Sequence, residues 1–417
     1  MRRRLIAAAV LVTAGLAGIV PALADVAQPR VVSIDPVDWT PHALDGTVRA
    51  VAVVGGTTVV GGTFTAISDN AERRRYRQPY LFAFDSRTGA LRTSFAPRLD
   101  GSVYALAGGP NNTVYVGGTF RSVNGTAQRG ITQLSVTDGT RAAGFQARIN
   151  WGDVRTLAVR GSRLYAGGTF SAVNGVGRIA LARLDGRTGA LDAGFDARLS
   201  AQDMPRARVE DLALSPDGRR LVVGGAVTHV AGVARAQLAM LDVSGPRATL
   251  TGWYTGAFRA QCDPTFDTYI RGVDFAPDGS YFVVVTTGTN SSPTMLCDAA
   301  ARFETAGTGL HKPTWVNHTG GNTLFSVAVT GSAVYVGGHQ RWLNNPQGHK
   351  TAGPGAVERP GIGAINPKSG KALPWNPTRS RGVGVRALLA TAGGLYVGSD
   401  TDELGREYHG RIGYFPL

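Results

Sequence analysis

Val114-Tyr115-Val116-Gly117-Gly118-Thr119-Phe120 decides the fold, because it returns as Leu164-Tyr165-Ala166-Gly167-Gly168-Thr169-Phe170. The same pattern stands earlier as Val59-Val60-Gly61-Gly62-Thr63-Phe64 and later as Leu221-Val222-Val223-Gly224-Gly225. It continues as Val334-Tyr335-Val336-Gly337-Gly338 and, eroded, as Leu395-Tyr396-Val397-Gly398-Ser399. A seventh copy, Tyr281 to Gly288, keeps the apolar strand without the doublet. The spacing of about 50–63 residues is long for a helical solenoid and suits one four-stranded sheet per repeat.

Outward from the doublet, each unit keeps one order. An alternating strand such as Val103-Tyr104-Ala105-Leu106-Ala107 comes first. A tight turn follows, as in Ser215-Pro216-Asp217-Gly218 or Ala276-Pro277-Asp278-Gly279, where Pro presets φ and Gly supplies the left-handed position. Beyond the Gly-Gly strand lies a loop often ending Val-Asn-Gly (123–125 and 173–175). A third strand, Leu181 to Asp185, turns through Arg187-Thr188-Gly189, and a fourth ends near Phe95, Phe145, Phe195 or Trp375. Period-two alternation with frequent turns reads as strand throughout, and no stretch carries useful helical periodicity. The doublet itself reads as a place where backbones approach closely, with a bulge or positive φ allowed. A phosphate-cradling glycine loop would need a helix after it, and none is expected.

Units open near residues 47, 101, 151, 207, 269, 322 and 382, and the last holds three strands only. Val37-Asp38-Trp39-Thr40-Pro41, which precedes the first unit, resembles the fourth-strand ending Leu373-Pro374-Trp375-Asn376-Pro377. The expected fold is therefore all-β: a seven-bladed β-propeller of four-stranded antiparallel blades over residues 25–417. Residues near 30–42 would complete the last blade and hide two sheet edges.

Met1-Arg2-Arg3-Arg4, the apolar run Leu5 to Val20 and the ending Pro21-Ala22-Leu23-Ala24 read as a secretory signal peptide, residues 1–24. The apolar run falls short of the roughly 20 residues a spanning helix needs, so a secreted monomer without a membrane span is expected. The whole chain carries a formal charge of +14, and losing Arg2, Arg3 and Arg4 lowers it by three, to +11. Only four basic residues are lysines (Lys312, Lys350, Lys368 and Lys371), and the arginines are scattered apart from Arg73-Arg74-Arg75 and Arg77. That dispersal argues against specific nucleic-acid binding. The isolated pair Cys262 and Cys297 reads as a disulfide in an oxidising compartment.

These units resemble the delta-60 repeat propellers, secreted bacterial proteins of uncharacterised function. The Tyr-Val-Gly-Gly-Thr-Phe strands carry the resemblance, with the Val-Asn-Gly turns and the Asp-x-x-Thr-Gly-x-Leu hairpins, Asp85 to Leu91 and Asp185 to Leu191. The later segments Gly337 to Trp342 and Gly398 to Asp402 are similar to those of actinobacterial secreted members. The resemblance implies no catalytic residues. Ala364 to Trp375 resembles the tryptophan-docking hairpin of quinoprotein dehydrogenases, without their adjacent cysteines or Ca²⁺ ligands.

Ligands of such a fold enter at the face bearing the loops between second and third strands. Two of these loops are unusual: Asp69 to Gln78 carries the arginine cluster, and His339 to Pro360 is long. The expected ligand-binding residues are His339, Arg341, Trp342, Asn344, Asp400, Asp402 and Glu403, an aromatic platform beside polar groups as sugars require. His409, Asn345, His349 and Lys350 lie close by in sequence or structural position. The three carboxylates could take Ca²⁺, although the histidines show no metal-ligand spacing and no cofactor is expected. The expected function is non-catalytic binding or scaffolding, for polysaccharide, cell-wall polymer or protein. The alternative is a carbohydrate-active or quinone-dependent enzyme, which would need Asp400, Asp402, Glu403 and His339 to converge.

Overall fold

The computed structural model describes residues 26–202, 206–260, 262–289, 293–380 and 382–417, so the signal-peptide reading of residues 1–24 lies outside the described residues. All regular structure among them is β. Each doublet strand is the second strand of an antiparallel sheet, and seven sheets of this order, one of them without a doublet, follow one another along the chain. Their first strands are Val48–Val54, Val103–Gly109, Val154–Arg160, Arg208–Leu214, Ile270–Phe275, Leu324–Val329 and Ala387–Thr391. Among the described residues no helix is long and apolar enough to cross a membrane.

The two glycines of each doublet are required for different reasons. A Cβ on Gly117 would lie 2.6 Å from Val154 Cγ1, because the valine that opens the third sheet seats on the second. Val103 seats in the same way on Gly61, Val209 on Gly167, Ile270 on Gly224 and Val385 on Gly337. Val48 of the first sheet seats on Gly398 of the seventh, 2.5 Å from its absent Cβ. The second glycine faces backbone of its own sheet: a Cβ on Gly118 would fall 2.0 Å from the Ser102 carbonyl oxygen. Close approach therefore explains the doublet, as expected, whereas the bulge lies on the partner strand and Gly61, Gly62, Gly117 and Gly118 have no positive φ.

The sheet without a doublet is held differently. Gly288 packs against both Cβ atoms of the Cys262–Cys297 disulfide, whose Cα atoms are 5.7 Å apart across a separation of 35 residues. A loop of that length gains about 3–4 kcal/mol from the cross-link on the chain-entropy model.

A fourth strand is present in two sheets, as Thr249–Leu250 and Trp315–His318. Elsewhere the expected outer strand shrinks to a single bridge, Phe84↔Leu91, Leu134↔Arg141, Leu184↔Leu191 or Ile365↔Ala372. The chain leaves the sheet there to bury its aromatic residue: Phe145 packs 5.6 Å from Tyr115, and Phe195 packs 5.7 Å from Tyr165. Beside the seventh sheet runs the N-terminal segment. Ser33 N–H donates to the Pro416 carbonyl at 2.7 Å, and Val37 N–H to that of Tyr414 at 2.9 Å. Trp39 lies 5.7 Å from Tyr414 and 6.4 Å from Phe84, touching the last sheet and the first.

Candidate functional site

Short hairpins follow six of the seven middle strands. In two of them Asn124-Gly125 and Asn174-Gly175 take positive φ at both positions, the geometry of a type I′ turn. The asparagine amide then fastens the hairpin. Asn174 Oδ1 accepts Arg148 N–H at 2.8 Å while its Nδ2 donates to the Gly189 carbonyl at 2.9 Å, and Asn124 does the same with Arg98 and Gly139.

Several residues expected to bind ligand are fasteners of this kind. Asn344 Oδ1 accepts from Asn317 Nδ2 at 2.7 Å and from Ala372 N–H at 3.1 Å. Asp400 accepts Val383 N–H at 2.5 Å and Gly384 N–H at 2.9 Å, with the fully buried Arg379 guanidinium 3.9 Å away. His339 Nδ1 meets the Val383 carbonyl at 3.1 Å, and its Nε2 accepts Thr323 N–H at 3.2 Å. His339 and Asp400 thus flank the same residue, Val383. Asp402 and Glu403 point elsewhere, exposed on the hairpin Glu403–Leu404/Glu407–Tyr408. Arg341 is exposed and lies 5.7 Å from the ring of half-buried Trp342. Among the described residues no three His, Cys, Asp or Glu side chains gather as ligands of a metal ion.

His409 belongs to the seam with the N-terminal segment instead. Its Nδ1 lies 3.4 Å from Thr40 Oγ1, while His42 Nδ1 accepts Gly410 N–H at 2.9 Å. Burial pushes both imidazoles below their ordinary pKa. An open concavity of about 480 Å³ lies along the same segment, between Asp35, Trp39 and Asn70.

The structure also gathers a group that the sequence reading missed. In six sheets the pairing of first and second strands skips one residue, leaving Arg49, Tyr104, Arg155, Glu210, Arg271 and Phe325 as β-bulges. Arg386, whose N–H donates to the Gly398 carbonyl just before the pair Ala387↔Gly398, takes that place in the seventh. All seven are half-buried, and six of them meet in three pairs. Arg49 lies 4.9 Å from the Tyr104 ring and Arg386 3.5 Å from the Phe325 ring. Arg155 pairs with Glu210 at 2.5 Å, and Glu210 also pairs with Arg208, itself bidentate to Asp267. Burial opposes the charge of Glu210, but Arg155, Arg208 and Arg271 outweigh it and hold the carboxyl below its usual range. Burial and then the charges of Arg49 and Arg271 push Arg386 down to about 10. At the rim, Trp151 is 48% exposed beneath Arg206, whose guanidinium lies 4.0 Å from its ring.

Residues 162–195 match a β-propeller family. The matching family is described as a domain of unknown function (DUF5122) β-propeller, and the matched stretch is the heart of the third sheet, from its doublet strand through the Asn174 hairpin to Phe195. No curated protein matches the chain. Within the propeller-type repeat, the bulge ring had one available signal. A long polar or aromatic residue directly follows the apolar residue that opens each unit, as in Val48-Arg49, Val154-Arg155 and Ile270-Arg271.

Proposed function

We propose that this chain is a secreted, non-catalytic binding propeller of seven blades, of the delta-60 repeat type. It would recognise an extracellular polysaccharide, cell-wall polymer or protein at its hairpin-bearing face. The repeated seating of Val or Ile on the preceding doublet, from Gly61 round to Gly398 and back to Val48, supports seven blades in one ring. The bonds from Ser33 and Val37 to the seventh sheet support closure by the N-terminal segment. The disulfide suits an oxidising compartment, and the leader-like residues 1–24 suit export.

One observation carries the binding reading: six sheets each leave one side chain outside the ladder, and these side chains, with Arg386 of the seventh, contact one another in pairs of charged and aromatic groups. Trp151, exposed, and Trp342, half-exposed, offer aromatic platforms, each beside an arginine. The enzyme alternative draws little from Asp400, whose two oxygens are taken by the Val383 and Gly384 amides. The test is an array of glycans and cell-wall polymers probed with the chain from Asp25 onward. Binding should weaken about tenfold or more in Trp151→Ala or Trp342→Ala, the scale of a lost aromatic anchor. Undiminished binding by both variants would remove these platforms, and no binding by the parent chain would remove the polymer reading.

A further inference from the structure

The charges of the bulge ring are unevenly matched. Arg155 and Arg208 share Glu210 and Asp267, and Arg271 lies in the field of both carboxylates while donating to the Ile270 carbonyl at 3.1 Å. Arg49 and Arg386 form the opposite arc. Among the described residues neither guanidinium has an ion-pair or hydrogen-bond partner, and the Nε of each is buried without an acceptor. Asp400, the nearby carboxylate, is occupied by the Val383 and Gly384 amides.

We propose that the arc of Arg386 and Arg49, flanked by Phe325 and Tyr104, is a binding site for an oxyanion, the carboxylate or phosphate group of a ligand that enters the channel. The proposal rests on the binding reading above but not on the hairpin platforms.

Three features carry it. A guanidinium N–H shut away from water without an acceptor is unfavourable, and two like charges held side by side add repulsion, so the arc is built at a standing cost. An oxyanion offsets the repulsion directly: its charge neutralises the pair, and its oxygens accept from the outer Nη groups of the guanidiniums. The aromatic rings hold the guanidiniums by their faces, Arg386 at 3.5 Å from Phe325 and Arg49 at 4.9 Å from Tyr104, which leaves the N–H edges to meet a ligand. A cation would be repelled here, so Ca²⁺ does not suit the arc.

Titration calorimetry on the chain from Asp25 onward, with inorganic phosphate, D-glucuronate and D-glucose as probes, tests the site. Saturable binding of phosphate or glucuronate, weakening with added salt, is expected, with none of glucose. Arg49→Gln/Arg386→Gln should lose about tenfold or more in affinity, as expected for charge-assisted bonds. Arg187→Gln, at the exposed turn after the strand Leu181–Asp185, should leave it unchanged. Phosphate alone would name a phosphate-bearing ligand, glucuronate alone an acidic sugar, and both would mean that the oxyanion itself is read. Should the double variant fail to fold by circular dichroism, the single changes Arg49→Lys and Arg386→Lys keep the charge, lose the planar fork, and should still weaken binding. Binding of neither anion, or equal binding by folded ring variants and parent, would overturn the proposal. If the parent bound polymer on the array but neither anion in calorimetry, the anion site would fall while the binding function stood.

Discussion

Gly398 shows how little room a single position leaves. Its absent side chain is the seat of Val48, and a methyl group there would also come within 3.0 Å of the Ala387 Cβ. Both neighbours are buried strand residues with nowhere to retreat. Gly398→Ala is therefore expected to destabilise the chain by about 1–3 kcal/mol, as overpacking does. Combining it with Val48→Ala should recover part of the loss, and urea unfolding of the four chains in the cycle measures the coupling. Strict additivity would mean that Val48 is not what fills the glycine. Asp298 makes a pH-dependent case. It is fully buried, Thr323 Oγ1 donates to Oδ1 at 3.4 Å, and Oδ2 has no acceptor role filled. Burial raises its pKa to about 7, against about 3.9 in an unfolded chain. Between those values the native state holds a proton that the unfolded state has released. Its contribution is then complete below about pH 4 and is lost as pH rises to about 7. His42 and His409, with lowered pKa, push the opposite way as pH falls through about 6.5, so the test is a difference. The stability of Asp298→Asn relative to the parent should rise across pH 4–7 and level off above; parallel curves would exclude the carboxyl as the cause.

At the scale of elements, the strands were legible because their signals are local. Alternation, the Pro-Asp-Gly turns and the Asn-Gly pairs need only neighbouring residues to be read. The outer strands were less so. Leu91 begins one, but Phe95 must turn inward, and that demand comes from residues outside its own segment. The candidate site suffered most from this. In sequence Asp400 reads as a carboxylate in a loop, yet Asp45 and Asp100 show what such a residue does in this repeat. Each accepts backbone N–H groups of the loop beyond the doublet, Asp45 from Thr65 and Ala66, Asp100 from Arg121 and Ser122. Asp400 ties the same two loops from the other side, reaching back to Val383 and Gly384. Comparison among the units, rather than within one, was the available evidence. The bulge ring was hidden for a different reason. Period two assigns Arg49 or Arg155 to one sheet face, and only the slipped register of six sheets takes such residues out of the ladder.

The whole molecule depends on how its ends meet. In the proposed closure, residues 26–43 cover the open edge of Ile412–Pro416, and they also satisfy groups deeper inside. Val32 N–H donates to Tyr335 Oη at 2.9 Å, Trp375 Nε1 donates to the Ser33 carbonyl at 2.8 Å, and the Gln28 amide reaches the Thr391 and Gly394 carbonyls at 2.9 and 3.0 Å. Val32 is buried and Trp39 packs against the sheets on both sides of the seam. A chain beginning at Leu44 would expose that edge strand, leave the Trp375 indole N–H without its acceptor, and lose the burial of both apolar side chains. Burying one large side chain contributes about 1.5–3 kcal/mol, so the loss of both, with the bonds, is a large fraction of the about 5–15 kcal/mol that holds a typical domain. The truncated chain should melt far below the parent and associate through the bare edge, seen by light scattering coupled to size exclusion. A peptide of residues 26–43 added in excess should raise its melting point and suppress association, because a ligand of the native state alone stabilises it by mass action. A truncated chain that stayed monomeric and melted with the parent would show that the ring is held by the Val48–Gly398 contact and its neighbours without the N-terminal segment.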